Sequence, residues 1–570
     1  MKSLVKLLNK PDFWPIVFVL LMGVLASRTL FGPGYFNMHD DLQVMRQLSM
    51  EKCFLDGQIP CRWIPDMGYG FGYPLFNFYP PLPYLVGELM RVVGYSFIAS
   101  AKGIFIIAIL ASGITMYYLA REFFGKLGGV VAATFYIWAP YHAVDVYVRG
   151  AMNEAWALIW FPAIMWTSYK LISSEKNSFK WVTALALAWF ALFTSHNLMV
   201  IVFAPFFSLW VLLWLVYYKK WSRVPHLAIA GVWSFGLAAF FTLPVLFEKG
   251  IVQTESLVVG YYEYTAHFPS IKQLLFTRFW GYGPSVWMDI DDKMSFQIGW
   301  FHWVGSIVLM ALAARDYLKN RKISRELLVI IFLFVFGWFA AFMAHPRSTA
   351  VWQAVKSLQF VQFPWRYLTM VILAFSFLAG SSVKLLTKGK YLLVLLAMLG
   401  VIVYSWNYFL PEHGKLGSLT DEEKLSGAAW DLQQTAGIYD YLPNTARTAP
   451  KAPMKELALV LEGEADVRSE ELGTNWARFT IDVYQEVLVQ VGILQFPNWR
   501  AYVDGVEVGT FVPDNEEWGR IHIFVPEGTH TVELELEDTP VRTVGNYLSL
   551  ASWAALGILL QKKYKQRKSL

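Results

Sequence analysis

Two adjacent carboxylates, Asp40 and Asp41, follow His39 a few residues beyond the first long apolar segment of the chain. A carboxylate can act as a general base that removes a proton from an attacking group. The position of this pair beside an apolar segment suggests chemistry on a lipid-borne substrate. A solvated loop is the plain alternative, so the rest of the chain must supply the groups that would position such a base.

Further ionisable residues fall at the same predicted ends of the apolar segments. They are Asp145, Arg149, Glu154, His196, His345, Arg347 and Arg366. A transporter of polar solutes usually needs polar groups near the middle of the membrane, and these segments carry almost none there. The distribution favours a reaction at the boundary between water and lipid. For each residue alone, the alternative is an ordinary interfacial side chain.

The composition predicts a polytopic membrane protein. Of 570 residues, 56% are hydrophobic and 16% are charged, whereas soluble globular chains carry about 25% charged residues. Several uncharged apolar stretches reach about 20 residues, the length that crosses a bilayer core. We predict about twelve spans, at roughly 12–30, 99–119, 127–141, 154–172, 180–196, 198–217, 225–247, 298–314, 326–344, 361–383, 390–410 and 544–561.

The lysines and arginines of the short loops predict the orientation. They fall at alternating turns, before the first span and after the last, so both termini are expected in the cytoplasm. The net charge of +5 then reflects topology and not a nucleic-acid surface. The first apolar segment is interpreted as a retained signal anchor. Cleavage near Val24-Leu25-Ala26 is the alternative.

The sequence divides into three regions. Residues 1–410 are predicted to form a transmembrane domain with outer loops, the first at 31–98. Residues 411–543 form a predicted extracytoplasmic domain, mainly β from about 453, because alternation such as Thr531–Leu536 indicates strands and Asp504-Gly505 indicates a hairpin turn. Residues 544–570 are predicted to be a final transmembrane helix and a basic cytoplasmic tail.

Two sets of residues could cross-link or bind metal in the outer loops. Cys53 and Cys61 are the only cysteines, and an even pair this close can form a disulfide in an oxidising compartment. Two free thiols are the alternative. Asp289, Asp291 and Asp292 carry the oxygen ligands that hard divalent cations prefer, but such a run is more often a polar loop, so no metal is expected.

Several motifs together resemble a family of bacterial membrane proteins labelled as 6-pyruvoyl-tetrahydropterin-synthase-related. The label is misleading, because nothing in the sequence indicates a soluble pterin enzyme. The motifs are His39-Asp40, Gly57–Trp63, Gly70–Tyr84, Tyr147–Gly150 with Glu154, Ser195-His196-Asn197, Gln362–Arg366, Tyr439–Pro443 and Phe496–Trp499. They run through most of the chain.

That family is similar to the GT-C superfamily of polytopic glycosyltransferases. The resemblance implies a GT-C-like transmembrane fold with a C-terminal sandwich-like β domain, an essential acidic residue in the first outer loop, and a polyprenyl-phosphate sugar as donor. The family pattern emphasises the aspartate after His39. It therefore favours Asp40 over Asp41 as the base, while the doublet leaves both assignments open.

The expected reaction is transfer of a sugar to an extracytoplasmic acceptor (a glycan, a lipid or a protein), with inversion at the sugar carbon. Asp40 would deprotonate the acceptor, with Asp41 positioning it or substituting for Asp40. Arg149 and Arg366 would bind the phosphate, because the arginine fork matches phosphate oxygens.

The remaining predictions concern supporting groups and partners. His39 and His196 would add hydrogen bonds, and Glu154 would orient Arg149. No resident cofactor and no nucleic acid are expected, and the partners are the lipid-linked donor, membrane lipids and the acceptor. The expected location is the cytoplasmic (inner) membrane, with the large domain on the outer, periplasmic side. The alternatives are a transporter or flippase for lipid-linked glycans, and a non-catalytic scaffold whose β domain binds a glycan or a partner.

Overall fold

The computed structural model describes residues 11–176, 178–285, 293–387 and 389–568. Most of the described chain is helical and a β region precedes the last helix, which confirms the predicted class of a helical membrane protein with a C-terminal β domain. The predicted aspartates 289, 291 and 292 lie outside the described residues.

The helices are numbered in chain order. They are α1 (Phe13–Ala26), α2 (Gln43–Leu55), α3 (Leu75–Phe78), α4 (Leu82–Val92), α5 (Phe97–Ile137), α6 (Pro140–Ala143), α7 (Met152–Ser173), α8 (Ser178–Ser195), α9 (Asn197–Tyr218), α10 (Val224–Leu237), α11 (Ala239–Phe247), α12 (Trp300–Asn320), α13 (Arg325–Met343), α14 (Thr349–Ala354), α15 (Leu368–Ala379), α16 (Ser382–Leu385), α17 (Lys390–Ser405), α18 (Asp421–Lys424), α19 (Gly427–Thr435) and α20 (Pro540–Lys568).

Six of the described helices are long and apolar enough to cross a membrane, or seven if an interrupted pair counts as one span. By length and composition, fewer of the described helices qualify as spans than the twelve or so predicted, although every predicted segment is helical. The other segments fall short for local reasons. Helix α1 has only 14 residues, and α12 ends in the charged sequence Arg315-Asp316 followed by Lys319.

Two predicted boundaries are corrected. The expected loop between the second and third spans is a single break at Gly125, whose backbone is not helical, inside α5. The expected span 225–247 is interrupted at Ala238, between α10 and α11. The Ser549 hydroxyl accepts from the Phe240 N–H (2.8 Å) and donates to the carbonyls of Gly236 and Leu237, so backbone groups released by the break are satisfied inside the protein.

The chain groups into two compact units. The first unit holds the residues up to Asp41, Ile98–Ser234 and Val258–Thr420, and contains most of the helices. Within it α7 packs against α8 and α9, and α15 packs against α12 and α13. The second unit holds Leu42–Phe97, Phe235–Leu257 and the chain from Asp421 onward. The predicted first loop thus belongs largely to the unit that contains the β domain.

The β domain consists of two antiparallel sheets. Its strands are β1 (Ala458–Glu462), β2 (Ala465–Leu472), β3 (Trp476–Val483), β4 (Val487–Leu494), β5 (Trp499–Val503), β6 (Val506–Val508), β7 (Arg520–Val525) and β8 (Gly528–Leu536). One sheet has the order β1-β4-β7 and the other β2-β3-β8-β5-β6. The predicted turn between β5 and β6 is confirmed, since Asp504 and Gly505 have φ of 48° and 80°, as a tight hairpin turn requires.

The core of the second unit explains why the first loop belongs to it. Alternate side chains of both sheets, such as Phe479 and Val491, are buried in one apolar cluster. Trp63 from the first loop packs in the same cluster, with its ring 5.6 Å from Phe496 and 5.7 Å from Trp499. Nearby, Cys53 and Cys61 are joined by a disulfide.

Candidate active site

The segment that carries His39 and Asp40 pairs with the backbone before α7. The His39 N–H donates to the Val148 carbonyl (3.1 Å), and the Asp40 N–H donates to the Arg149 carbonyl (2.9 Å). Gly150 permits this approach, because a Cβ there would lie 2.2 Å from the Met38 sulfur and the residue adopts φ +59°. Asp40 is thus fixed beside Arg149 by backbone geometry.

A buried lysine holds the start of the same segment. Lys102, on α5, donates from Nζ to the carbonyls of Gly32 (2.5 Å) and Gly34 (2.7 Å). The Gly417 N–H also donates to the Tyr35 carbonyl (2.7 Å). Lys102 is not among the predicted site residues. Its signal was a single charge inside a predicted apolar span, which by itself marks a functional or anchoring residue.

An ion cluster forms around Arg149. The Arg149 Nη1 donates to Asp145 Oδ1 (2.5 Å), Glu154 Oε2 (2.8 Å) and the Tyr141 hydroxyl (3.2 Å), while that hydroxyl donates to Glu154 Oε1 (2.8 Å). Arg366 Nε lies 3.3 Å from Glu154 Oε2. Asp145, Glu154 and Arg149 are only 0%, 1% and 7% exposed, so water does little to screen these charges. The structure thus brings together Arg149, Glu154 and Arg366, together with Asp145, which the sequence placed at the same helix ends without assigning it a role.

The two carboxylates of this cluster have unequal surroundings. Asp145 is bonded through one oxygen, and its Oδ2 has no hydrogen-bond partner among the described residues. Glu154 instead meets both arginines and Tyr141. Burial, and next the neighbouring Glu154, raise the pKa of the Asp145 carboxyl well above its usual range. Burial thus disfavours the charged form of Asp145, whereas Glu154 has two cationic neighbours.

Aromatic rings cover one side of the cluster. The Arg149 guanidinium lies 4.5 Å from the Trp365 ring centre, and Phe363 stacks on Trp365 at 4.8 Å. His267 meets the edge of Phe363 at 4.7 Å, and Tyr261 meets it at 6.0 Å. Trp365 and Phe363 are buried, so the rings of this column pack on one another and on Arg149 and shield that side of the cluster from water.

A strained turn sets the position of this column. Gln362 has φ 66° and ψ −52°, and the Phe363 N–H donates to the Val361 carbonyl (2.7 Å), which forms a γ-turn. Arg366 Nη1 closes the turn by donating to the Val361 carbonyl (2.8 Å) and to Gln362 Oε1 (3.0 Å). Such backbone strain costs about 1–3 kcal/mol and concentrates at functional sites.

A short hydrogen-bond chain fixes Trp365 from the side. The indole Nε1 donates to Ser285 Oγ (3.1 Å), which lies 2.8 Å from His267 Nδ1. His267 Nε2 lies 2.5 Å from the Tyr261 carbonyl and must donate to it, so Nδ1 accepts from Ser285. Sequence reasoning missed Ser285 and His267, because nothing in their spacing links them to Trp365.

The other predicted residues have separate positions. His39 Nε2 donates to the Tyr282 carbonyl (3.0 Å). His196 precedes α9, and its Nδ1 accepts from the Met199 N–H (3.4 Å). Asp41 is partly buried at the end of the first segment of its unit. Among the described residues, no group of three or more His, Cys, Asp or Glu side chains is arranged to hold a metal ion.

These features define a helical membrane protein with a buried, aromatic-lined ion cluster at one end of its helices. No family model matches the chain. An uncharacterized protein of Lactococcus lactis subsp. cremoris strain MG1363 is 24% identical over 251 residues, 42% of this chain, and the chain spans 40% of that protein's length.

Several solved structures are similar in part. The mycobacterial arabinofuranosyltransferase AftD matches with a TM-score of 0.44 and 11% identity, over 70% of this chain and 27% of AftD. ArnT from Cupriavidus metallidurans, bound to undecaprenyl phosphate, matches at 0.39 and 14%, over 69% and 64%. The oligosaccharyltransferase AglB from Archaeoglobus fulgidus, with an inhibitory peptide and a dolichol-phosphate, matches at 0.43 and 12%, over 78% and 61%. All three scores lie below 0.5, so these likenesses assign no function to this chain.

Proposed function

We propose that the protein is a membrane glycosyltransferase that moves a sugar from a polyprenyl-phosphate donor to an extracytoplasmic acceptor. The observation that carries the proposal is the pairing of Asp40 with Arg149, at 2.9 Å between backbone N and O. This bond joins the main chain of Asp40 to that of Arg149, whose side chain belongs to the buried ion cluster, and it supports the proposal that the Asp40 carboxylate acts as the base there. Inverting transfer needs one base for the acceptor hydroxyl and positive charge for the departing phosphate.

Arg366 is the better candidate for the phosphate ligand. Three acceptors already share Arg149 Nη1, and that guanidinium lies on Trp365. The side chain of Arg366 is 11% exposed, and its Nη2 forms no hydrogen bond to the described residues. We therefore assign phosphate binding to Arg366, whereas Arg149 holds the two carboxylates and the Trp365 ring in place.

An apolar cavity offers room for the lipid part of the donor. Its volume is about 350 Å³, and it lies between α8, α9 and α10. The lining residues Phe193 and Val200 flank His196 in sequence, and Met199 Sδ lies 3.9 Å from Thr369, whose hydroxyl donates to the Arg366 carbonyl. We infer that a lipid chain there would lie along α9, whose first turn carries Met199 and contacts the segment that follows Arg366.

The orientation in the membrane is part of the same proposal. The lysine and arginine pattern supports cytoplasmic termini, with Asp40 and the β domain on the outer side of the cytoplasmic membrane. Labelling of a Val506→Cys variant in intact cells by a membrane-impermeant thiol reagent checks this orientation. Labelling only after the membrane is opened would contradict it.

The decisive experiment compares Asp40→Asn with Asp41→Asn in purified protein. A panel of radiolabelled polyprenyl-phosphate hexoses and pentoses is incubated with membrane extract as the acceptor source, and release of polyprenyl phosphate is measured. Loss of a general base lowers turnover by about 100-fold or more, so Asp40→Asn is expected to be nearly inactive at unchanged thermal stability. Asp41→Asn is expected to keep most activity.

Two outcomes would overturn the proposal. Full activity of Asp40→Asn would show that Asp40 is not the base. If the wild-type protein neither consumes nor binds any polyprenyl-phosphate sugar, the proposed glycosyltransferase activity is wrong. The transporter and scaffold alternatives would then remain.

A further inference from the structure

A cluster of cations lies at the end of α9 that is farthest from His196 and the candidate active site. Lys220 Nζ donates to the Ser173 carbonyl (2.9 Å), and Arg223 Nη2 donates to the Ser174 carbonyl (2.7 Å). Helix α9 has 22 residues, which makes it about 33 Å long. The cluster therefore belongs to the opposite end of the helices from the ion cluster around Arg149.

A second turn of the chain reaches the same place. Arg325 Nη1 donates to the Tyr169 hydroxyl (2.9 Å), one helical turn before Ser173. The Tyr169 hydroxyl also lies 2.9 Å from the hydroxyl of Tyr218, the last residue of α9. The turns that follow α9 and α12 thus meet at the last turn of α7.

These bonds leave most of the positive charge in place. The carbonyl and hydroxyl acceptors are neutral, and only Arg325 has a carboxylate partner among these contacts, Glu326 at 3.2 Å. Residues 173–176, 218–223 and 321–326 together carry seven lysines and arginines and two glutamates. We call these three stretches the basic collar. Its excess of cations favours an anionic ligand.

An apolar groove leads from the basic collar along the seam between α9 and α13. The two helices are antiparallel neighbours, because the Trp210 ring lies 5.6 Å from Phe332 while the Phe206 ring lies 6.0 Å from Phe339. As the residue number falls on α9, it rises on α13.

Exposed aliphatic side chains form the walls of this groove. They are Leu209 and Val216 on α9 and Ile331 and Val335 on α13. Each pair is displaced from the line of ring contacts by roughly a quarter turn in the same rotational sense. Because the helices run in opposite directions, both pairs lie on the same side of the seam. From Tyr218 to Leu209 the groove is about 14 Å long, close to half of the ~30 Å hydrocarbon core, so it matches the acyl chains of one leaflet.

We infer that the seam between α9 and α13 binds an anionic phospholipid, with its phosphate in the basic collar and its acyl chains in the groove. Basic pockets between membrane helices attract anionic headgroups. A zwitterionic headgroup would bring a cation of its own to the collar. The site lies at the other end of α9 from the proposed donor site and does not depend on the glycosyltransferase proposal.

Native mass spectrometry of the purified full-length protein tests the inference. Titration with phosphatidylglycerol, and with phosphatidylcholine that has the same acyl chains, gives a dissociation constant for the first lipid bound. The test variant combines Lys219→Gln with Lys322→Gln, two exposed residues of the collar. The matched control combines Lys126→Gln on α5 with Lys384→Gln on α16, which are also exposed and remove the same charge outside the collar.

Wild type is expected to bind phosphatidylglycerol more tightly than phosphatidylcholine. The test variant should bind phosphatidylglycerol about 10- to 30-fold more weakly, since each basic residue near an anionic headgroup contributes roughly a fivefold factor. The control variant should bind it as wild type does, and phosphatidylcholine binding should change in neither variant.

Three results would overturn the inference. Equal affinities of wild type for the two phospholipids would exclude recognition of the headgroup charge. Equal weakening in both variants would indicate a general effect of net charge. Tighter binding of polyprenyl phosphate than of phosphatidylglycerol, lost in the test variant alone, would assign the collar to that lipid instead.

A measurement on wild type alone covers the case in which the test variant fails to fold. The preference for phosphatidylglycerol should shrink when the concentration of ammonium acetate is raised about tenfold, because salt screens the headgroup charge. A preference that is unchanged by salt would also contradict the inference.

Discussion

Each compact unit contains one buried cluster of arginines and polar partners, and the two clusters are built differently. In the second unit, Glu248 Oε2 accepts from Arg542 Nε (3.0 Å) and from Asn77 Nδ2 (2.9 Å), and Glu248 Oε1 accepts from Thr539. Arg62 donates to Asn77 Oδ1 (3.2 Å) in the same network. These partners come from the first loop, the end of α11 and the start of α20.

The two clusters differ in how their carboxylates are paired. Two carboxylates and a hydroxyl share one nitrogen of Arg149, Asp145 Oδ2 has no hydrogen-bond partner among the described residues, and the backbone of Gln362 is strained. Around Glu248 both carboxylate oxygens are bonded, to three donors from distant segments, although Arg62 Nε and Arg542 Nη2 have no hydrogen-bond partner among the described residues. The comparison teaches that buried charge alone does not mark a site. Uneven pairing beside a strained turn does.

The largest expected effect is on stability, at Glu248. Glu248→Ala leaves Arg542 buried without its carboxylate, which typically costs about 3–5 kcal/mol. We expect a large fall in the thermal stability of the purified protein, with the specific activity of the remaining folded fraction unchanged. Glu507→Ala is the matched control, because its ion pair with Arg500 is exposed and such pairs contribute about 0–1 kcal/mol. If Glu248→Ala lost activity but kept its thermal stability, the cluster around Glu248 would be functional and the contrast with the Arg149 cluster would be wrong.

The next effect concerns donor binding by Arg366. Removing a hydrogen bond to a charged group costs about 1.5–3 kcal/mol, so Arg366→Ala should weaken binding of polyprenyl phosphate by about 10- to 150-fold. Arg366→Lys should recover part of the loss, since a lysine keeps the charge but not the fork. Titration with polyprenyl phosphate measures this. Arg347→Ala is the control, because Arg347 is exposed and follows the C-terminal end of α13. Unchanged binding of polyprenyl phosphate in Arg366→Ala would refute the phosphate role.

A smaller effect is expected at Lys102, which holds the segment leading to Asp40. Lys102→Met removes the bonds to the Gly32 and Gly34 carbonyls and frees that segment. Misplacing a reacting group lowers turnover, and we expect about a tenfold fall in kcat, with donor affinity unchanged because Arg366 is untouched. Lys102→Arg should restore most of the rate. A rise in KM at constant kcat would show that Lys102 acts on the donor instead.

Local patterns in the sequence predicted local structure well. Alternation identified β3 and β8, Asp504-Gly505 identified their neighbouring hairpin, and hydropathy located the helical segments. The mixed charges at the helix ends also predicted that Arg149, Glu154 and Arg366 share one region. In each case the signal lies within a few residues of the feature, where propensity and periodicity act.

Long-range pairings could not be predicted in this way. The contact of Lys102 with Gly32 joins residues 70 positions apart, and the packing of Trp63 on Phe496 joins residues more than 400 apart. The break at Ala238 is satisfied by Ser549, which no local pattern indicates. Such pairings depend on the complete tertiary arrangement. They explain why the first loop was predicted with the helices and is found with the β core.

The smallest expected effect is a pH dependence at a further buried carboxylate, Glu88, whose neighbour Arg91 pairs with Glu51. Burial raises the pKa of Glu88 to about 7, and the hydrogen bond from Gln47 opposes this rise only in part. Since the folded value lies above the usual value of 4.5, the contribution of Glu88 to stability is complete below pH 4.5 and is lost as the pH rises through about 7.

Thermal unfolding of wild type and Glu88→Gln between pH 5 and 8 should therefore diverge, with the wild type losing stability relative to the variant toward pH 8. Exposed Glu507→Gln is the control for general charge effects. Parallel profiles for wild type and Glu88→Gln would show that the buried carboxylate is stabilised as an ion. That result would place it with Glu248, in a matched network, and would remove the distinction between paired and unpaired carboxylates within the second unit.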